Sequence, residues 1–459
     1  MKNKFKVILS IFMLLCIVFQ GYSPALAFRS KKNESNINNY NQKLDYININ
    51  WWCNFNDPYL RDYIVKAITN NHNLRKTSWQ VEEYRNFVRY TFGKELPTLS
   101  VSPLYNGLNS PAYMGSEISQ NAFILPFFMR YEADLLAKNR DATKSQQKEY
   151  QATQFDEQSA YLSTASIVAT AYINILNLDK RIILQKKNLK NAQEILDRNT
   201  KRFNRGVLSA IDLNTSTEEV KTSENTLITM QKLRQKLINE FAVLIGESPC
   251  NICDLKFGKI ETFEYLGQSP QCIDSDVIFS RPDVLAAEKR LEEAKINIRI
   301  ARKDFFPRFN IIGIYSFNTI GEGNFFGWRA SFATLIAAAT QDIYFGGRKL
   351  ANLKIKKAQY EQFFETYNQT NLTAVKEVND SLYFIKKDTE WVNNNKIKLK
   401  KEEDNYIRAK KQFKYGTISY TDLLEKELEL IKIEQNYYDS KTTLLVSYLT
   451  LYKAVGGKL

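Results

Sequence analysis

An apolar side chain recurs at every seventh position from residue 161 to residue 203. The positions are Tyr161, Val168, Ile175, Ile182, Leu189, Leu196 and Phe203. A helix with a strict seven-residue repeat supercoils left-handed around its neighbours, because only then does the apolar seam stay in contact with them. The positions three residues after the seam are partly small or polar, as at Ala171 and Gln185. This pattern favours a helix that shares its edges with several neighbours over a two-stranded coiled coil.

The same seam returns in the second half of the chain, displaced by 210 residues. Its members are Val378, Ile385, Val392, Leu399, Tyr406 and Phe413. Identical residues at this displacement include the pairs Pro97 and Pro307, Gly206 and Gly416, Asp212 and Asp422, and Gly246 and Gly456. Because 210 is a multiple of seven, the heptad register survives the displacement. The sequence therefore predicts two tandem copies of one unit.

The first 27 residues have the pattern of a secretory signal. Lys2, Lys4 and Lys6 precede an apolar run over residues 7–19, and a small-residue cleavage site ends at Ala27. An uncleaved membrane helix would need about 18 or more apolar residues, and this run is shorter. We therefore expect an exported protein whose mature chain begins after the signal.

The charge of the chain is basic, with a net +14 that falls to +11 without the three signal lysines. A basic balance can indicate a nucleic-acid or membrane-surface partner. Here the lysines alternate with glutamates along helical segments, so we predict solvated helix surfaces and no nucleic-acid partner. The sequence shows no Ser/His/Asp set, metal-ligand cluster or phosphate loop, and His72 is the only histidine. It therefore predicts no enzyme, no cofactor and no metal site.

The predicted duplication divides the chain into five segments. They are a signal peptide (1–27), an N-terminal extended segment (28–59), a first repeat (60–248), a linker (249–275) and a second repeat (276–459). Residues 28 to about 50 are rich in Asn, Ser and Lys, so we expect them to be extended or poorly ordered. The linker contains Cys250, Cys253 and Cys272, which with Cys53 can form disulfides in an exported protein. The pairing stays open.

Two pairs of strands are predicted from a two-residue period of apolar side chains. A helix that begins after Trp51-Trp52 should end before Pro97, since a residue that precedes proline disfavours the α region. One strand follows over residues 97–108, and Phe123, Leu125, Phe127, Met129 and Tyr131 mark its return strand. The second repeat supplies Phe309, Ile311, Tyr315 and Phe317, then Trp328, Ala330, Phe332, Thr334 and Ile336. Such strands are typical of membrane β-hairpins. The alternative is a pair of hairpins packed on a soluble core.

Each return strand leads into a long predicted helix, over residues 134–203 and 344–413. At 1.5 Å per residue these helices are roughly 100 Å long, so we predict an extended bundle or tube. Gly206 and Gly416 mark the turns at which they end. Ser209 and Ser419 are candidate N-caps of the returning helices, each followed three residues later by an Asp in a capping-box position. Two antiparallel helical hairpins result.

Several segments of the second repeat carry a family resemblance. Before its first strand stand Arg281-Pro282-Asp283-Val284, Ala286-Ala287-Glu288, Ala294, Ile300-Ala301-Arg302 and Phe305-Phe306-Pro307. After its second strand stand Phe345-Gly346-Gly347-Arg348 and Ala351-Asn352-Leu353. Turns with the pattern Gly-x-x-Ser-x-x-Asp-Leu occupy residues 206–213 and 416–423. In this order the segments resemble the outer-membrane efflux factors, the TolC/OprM/NodT family of channel tunnels, over nearly all of the mature chain.

The resemblance implies a mainly α fold with membrane β-hairpins. In that fold three copies form a twelve-stranded β-barrel on a long α-helical periplasmic tunnel, in contact with outer-membrane lipid. It also implies a passive duct that a periplasmic adaptor couples to an inner-membrane pump. Four strands per chain leave two unpaired edges that lipid cannot satisfy, so the residues by themselves also require assembly. Cys16 lies inside the apolar signal run, so we predict no lipid anchor.

The two turns are the predicted functional sites. Both long helices reverse there, so we expect Gly206, Ser209, Asp212, Gly416 and Ser419 to lie at the tips that contact the adaptor. Helix capping by the two serines explains the same residues structurally, and both roles can coexist.

The gate is predicted at Asp422 and Glu425. These carboxylates lie three residues apart on one helix face, in first turns where the helix dipole already favours negative charge. A three-fold axis would bring six of them together. The first repeat has Thr215 where the second has Glu425.

A second function class also fits the helices. A non-channel periplasmic coiled-coil scaffold or adaptor would use the same hairpins to bind a partner. The two amphipathic strand pairs argue against it, because a soluble scaffold has no use for them. Partitioning of the expressed protein into the outer membrane would also discriminate between the two functions.

Overall fold

The computed structural model describes residues 43–113, 116–249, 255–268, 270, 272–319 and 325–458. The helices are α1 (Leu60–Asn70), α2 (His72–Gly93), α3 (Lys138–Asn204), α4 (Ala210–Leu244), α5 (Ser275–Phe279), α6 (Pro282–Lys303), α7 (Arg348–Lys414) and α8 (Tyr420–Ala454). The strands are β1 (Thr98–Val101), β2 (Leu104–Tyr113), β3 (Ser116–Ala133), β4 (Arg308–Asn318) and β5 (Ser331–Thr340). The predicted class, mainly α with antiparallel strands, is confirmed at this level.

Three helices of the first half recur in the second half with the same length. Helices α2 and α6 have 22 residues, α3 and α7 have 67, and α4 and α8 have 35. Each pair is displaced by the 210 residues that the sequence shows. The long helices begin about four residues later than predicted and end one residue later. Their length, roughly 100 Å, is that of a rod and not of a compact domain.

The long helices lie side by side in a layer one helix thick. Away from the strands the order is α4, α3, α8, α7, because α3 packs on α4 and α8, and α8 packs on α7. Nearer the strands the order is α2, α3, α6, α7. We call α4 and α7 the two flank helices of the distal layer, since each has a helical neighbour on one side only among the described residues.

One antiparallel sheet runs through both halves of the chain. Strand β3 pairs with β1, β2 and β4, and β4 pairs with β5. The strand predicted over residues 97–108 is wrong in one detail, because it is two strands interrupted at Ser102-Pro103. Proline has no N–H for the ladder, and the backbone N of Ser102 donates across to the carbonyl of Pro126 at 3.2 Å. The outer edge of β5 and the outer edge of the broken β1/β2 strand have no pairing partner among the described residues.

The N-terminal segment is part of the core over its described residues. Residues 43–50 form helical turns and not an extended chain, which corrects the prediction for that stretch. Ile47 is fully buried, and its carbonyl accepts from the indole N–H of Trp52 at 3.2 Å. Trp51 stacks on Tyr452 near the end of α8, with ring centroids 4.2 Å apart. The polar composition concealed a few large apolar side chains that bury enough surface to order the segment.

The apolar side chains of the heptad seams become more exposed toward the turns. Val168, Ile175 and Ile182 of α3 are buried, whereas Phe203 at its end is 39% exposed. In α7, Val378 and Ile385 are buried and Phe413 is 40% exposed. One window of α3 is apolar enough by length and composition to cross a membrane, but more than half of it is buried against its neighbours. The seam is therefore core where other elements cover the layer, and open surface at the tips.

Two cysteines lie in the part of the chain that the structure describes. Cys53 and Cys272 are free and exposed. Cys250 and Cys253 lie outside the described residues, so disulfide pairing stays a prediction.

Candidate functional site

The two turns have the same backbone. Gly206 and Gly416 have φ of 74° and 75°, the left-handed region that a residue with a Cβ rarely adopts. The amide of Val207 donates to the carbonyl of Arg202, and Thr417 donates to Gln412, each at 3.0 Å. This six-residue closure is a Schellman motif, which satisfies the last carbonyls of a helix. Glycine is therefore required at the turns by backbone conformation, while its surroundings are open space.

The returning helices begin at the predicted caps. The backbone N of Asp212 donates to Ser209 Oγ, and that of Asp422 donates to Ser419 Oγ, both at 3.1 Å. In the second turn the cap is reciprocal, because the backbone N of Ser419 also donates to Asp422 Oδ2 at 2.9 Å. In the first turn the Ser209 hydroxyl donates to Asp212 Oδ2 instead. Capping by both serines is thus confirmed, and only the second turn is a complete capping box.

The predicted acidic pair projects into open space from α8. Asp422 and Glu425 are exposed, whereas Leu423 and Leu424 between them are buried. Hydrogen bonds from the backbone and then the side chain of Ser419 lower the pKa of Asp422, so this carboxylate stays charged at neutral pH. Glu425 has no hydrogen bond or ion pair within the described residues. The pair therefore presents two carboxylates on one helix face close to the tip.

The closest link between the two hairpins near the tips was not predicted from the sequence. The hydroxyl of Tyr420, the first residue of α8, donates to Glu194 Oε2 of α3 at 2.7 Å. The guanidinium of Arg198 lies 3.9 Å from the centroid of the Tyr420 ring. The ring of Phe413 packs against the Tyr420 ring, with the two centroids 5.3 Å apart. The hydrogen bond to Glu194 raises the pKa of Tyr420. No hydrogen bond within the described residues joins the turn at 205–212 directly to the turn at 415–422.

Further polar contacts follow Tyr420 along the boundary between α3 and α8. Glu427 accepts from Lys187 Nζ at 2.7 Å and from Asn191 Nδ2 at 2.9 Å. Seven residues on, Glu434 forms an ion pair with Lys180 at 2.9 Å. Burial would raise the pKa of Glu427, but Lys187, Tyr406 and Asn191 together hold it below its ordinary value. The two hairpins thus meet through a polar boundary.

The boundary inside each hairpin combines apolar and polar contacts. In the first hairpin Val220 of α4 is buried, and Asn199 Nδ2 of α3 donates to Ser216 Oγ of α4 at 2.7 Å. In the second hairpin Leu423 and Leu430 of α8 are buried, and Asn395 Nδ2 of α7 donates to the backbone carbonyl of Asn436 of α8 at 3.4 Å.

Sequence reasoning located the turns because caps and left-handed glycines are local signals. It missed Glu194 and Tyr420 because their partnership depends on how two distant hairpins align. The available signal was weak: Glu194 and Arg198 lie four residues apart on one face of α3, and an aromatic residue follows the second N-cap.

The chain is similar to known proteins over most of its length. The family model described as outer membrane efflux protein matches residues 63–247 and 275–457. The cation efflux system protein CusC of Escherichia coli is 23% identical over 424 residues, which cover 90% of each chain. The toluene efflux pump outer membrane protein TtgC of Pseudomonas putida is 25% identical over 412 residues, 89% of this chain and 84% of that protein.

Solved structures share the fold over the same extent. The CmeC outer membrane channel of Campylobacter jejuni superposes with a TM-score of 0.81 at 20% identity, covering 89% of this chain and 88% of that one. The outer membrane protein VceC of Vibrio cholerae superposes with a TM-score of 0.77 at 19% identity, covering 89% and 98%. With the family model matched over both halves, the chain belongs to the outer membrane efflux protein family.

Proposed function

We propose that this protein is the outer-membrane channel of a tripartite efflux system, a passive exit duct coupled through a periplasmic adaptor to an inner-membrane pump. The observation that carries the proposal is a layer of long helices continuous with an antiparallel sheet, both open at their sides, in a member of the outer membrane efflux family. Nothing in this architecture calls for catalysis, and we propose no cofactor, metal or nucleic-acid partner.

The open sheet supports assembly in the membrane. Unpaired N–H and C=O groups on β5 and on the broken β1/β2 strand cannot be satisfied by lipid. Pairing β5 of one copy with the opposite edge of the next removes every edge when the ring closes. With the broken strand counted once, each chain contributes four strands, so three copies give a barrel of twelve.

The helical layer supports the same closure. Large apolar side chains stand exposed on the outer helices of the single chain, including Trp79 and Tyr90 of α2 at 74% and 69% exposure. On α7, Tyr383, Phe384 and Trp391 are exposed as well. Copies arranged around one axis would bury these faces against one another and extend the barrel into a tunnel. We infer a homotrimer on this basis.

The tips are the proposed sites of docking and gating. Gly206, Ser209, Asp212, Gly416 and Ser419 lie at the ends farthest from the sheet, where an adaptor can reach the duct. Asp422 and Glu425 would form a ring of six carboxylates around a three-fold axis, able to select cations. The Tyr420–Glu194 hydrogen bond would hold the two hairpins together in the closed state.

The test is expression of the full chain with its signal. We expect it in the outer-membrane fraction, as trimers by native mass in detergent, with discrete conductance in planar bilayers. A soluble periplasmic protein without conductance would instead support the scaffold alternative, in which β5 and its apolar side chains would have no use.

A further inference from the structure

The two flank helices carry opposite charges at the same level of the layer. Glu218 of α4 is exposed, and so are Arg408 and Lys411 of α7. None of the three side chains has an ion-pair partner within the described residues of its own chain. We propose that Glu218 of one copy pairs with Arg408 and Lys411 of the next copy, so that this contact fixes the register of the tunnel wall. The inference rests on the proposed assembly and names its interface.

The directions of these side chains follow from helix geometry. Ser216 faces α3, since Asn199 Nδ2 donates to its hydroxyl at 2.7 Å, and Val220 is buried. Glu218 lies two residues from each, which is about 200° around the helix, and so it projects from the far side of α4. Tyr406 of α7 faces Glu427 of α8, since its hydroxyl helps to lower the pKa of that carboxyl group. Arg408, two residues on, projects from the far side of α7 by the same rule.

The level along the layer follows from two rows of contacts. The upper row runs from Tyr406 through Glu427 to Lys187 of α3, close to Gln185, which donates to Ser223 of α4 at 2.8 Å.

The lower row joins Phe413, Tyr420 and Glu194, and the Asn199–Ser216 pair lies just beyond it. On one flank Glu218 lies between Ser216 and Ser223 of α4, close to the level of the lower row. On the other flank Arg408 and Lys411 lie between Tyr406 and Phe413 of α7. Rotation about an axis parallel to the helices preserves level, so adjacent copies would bring these charges together.

The C-terminal helix dipole accounts for only one of the two cations. It favours basic residues within the last turn of a helix, where Lys411 lies. Arg408 lies more than one turn before the end of α7, and Glu218 lies beyond the first turn of α4. Opposite charge on the adjoining copy explains the placement of Arg408 and Glu218.

A charge swap tests the contact in the full-length protein. Glu218→Lys alone, and Arg408→Glu with Lys411→Glu, should each lower the trimer fraction in detergent roughly fivefold at about 0.05 M salt. The three substitutions together should restore it, because the attraction returns with reversed sign. At about 0.5 M salt all variants should converge.

The matched control is Lys186→Glu with Lys190→Glu. These exposed lysines lie on α3, whose two sides are occupied by α4 and α8, and the charge change equals that of the α7 variant. We expect an unchanged trimer fraction. Equal loss in the control, or no recovery in the triple variant, would overturn the pairing. A wild-type chain that forms no trimer at all would instead refute the proposed assembly itself.

Discussion

Tyr420 joins capping, packing and hairpin contact in one residue. It follows the N-cap Ser419, packs on Phe413 and donates to Glu194. A phenol that donates to a carboxylate forms a charge-assisted hydrogen bond, which is stronger than a neutral one. Because this bond crosses between hairpins, its loss would affect their relation more than the stability of either.

We expect Tyr420→Phe to favour the open tip. The substitution keeps the ring and removes one hydrogen bond, worth about 1 kcal/mol at a partly exposed site, or roughly a fivefold change in the ratio of open to closed states. Mean conductance in planar bilayers should rise while the thermal unfolding midpoint hardly changes. Tyr437→Phe is the control, since that hydroxyl makes no hydrogen bond in the described structure. A lower midpoint with unchanged conductance would make Tyr420 a packing residue only.

Glu427 should make the conductance of the channel depend on pH. Its folded-state pKa lies below the ordinary value of 4.5 despite burial, because Lys187, Tyr406 and Asn191 favour the carboxylate. A group with a lowered pKa stabilises its contacts above the unfolded-state pKa and loses that contribution as pH falls through the folded-state value. We therefore expect conductance to rise below pH 4.5, and Glu427→Gln to show raised conductance already at neutral pH. A pH profile identical in wild type and Glu427→Gln would contradict this.

At the scale of elements, the sequence predicts what local chemistry determines. The heptad seams, the glycine turns and the serine caps locate the long helices to within a few residues. The alternation of apolar residues does not predict the break between β1 and β2, because Pro103 has the same parity as Leu99 and Val101 and so continues the pattern of the strand. The helical turns at residues 43–50 were not predicted, because Ile47 is buried by elements that are distant in the sequence. Contacts between hairpins were missed for the same reason.

The glycines distinguish tip function from folding. A Cβ at Gly206 would meet nothing within 4 Å, whereas one at Gly246 would lie 2.6 Å from the backbone oxygen of Asn70. Both positions have positive φ, so both substitutions pay backbone strain of about 1 kcal/mol. We expect Gly206→Leu to leave trimer yield nearly unchanged and to abolish export, and Gly246→Leu to reduce folded protein severely. Similar loss of folded protein in both variants would remove the case for docking at the tip.

At the scale of the whole molecule, a single chain has three features that are incomplete without further copies. The sheet is open at β5, the layer is open at α4 and α7, and the acidic pair lies near the tip of the second hairpin. Each feature is incomplete alone: an unpaired edge, an exposed flank and two isolated carboxylates. Rotation about a single axis would complete all three together, which is why assembly and gating belong to the same proposal.

The carboxylate ring is tested by separating charge from capping. Asp422→Asn with Glu425→Gln removes both charges but keeps an oxygen that can accept from the amide of Ser419. Ser419→Ala removes the serine side of the cap and keeps both charges. Converging carboxylates attract cations and repel one another until a cation neutralises them. We therefore expect the amide variant to lose cation preference in planar bilayers and to lose block by a trivalent cation added from the tip side. Ser419→Ala should retain both properties and instead lower the unfolding midpoint slightly, since a lost cap costs about 1 kcal/mol. If cation preference follows Ser419→Ala and not the amide variant, the acidic pair is a helix cap and the constriction lies elsewhere in the tunnel.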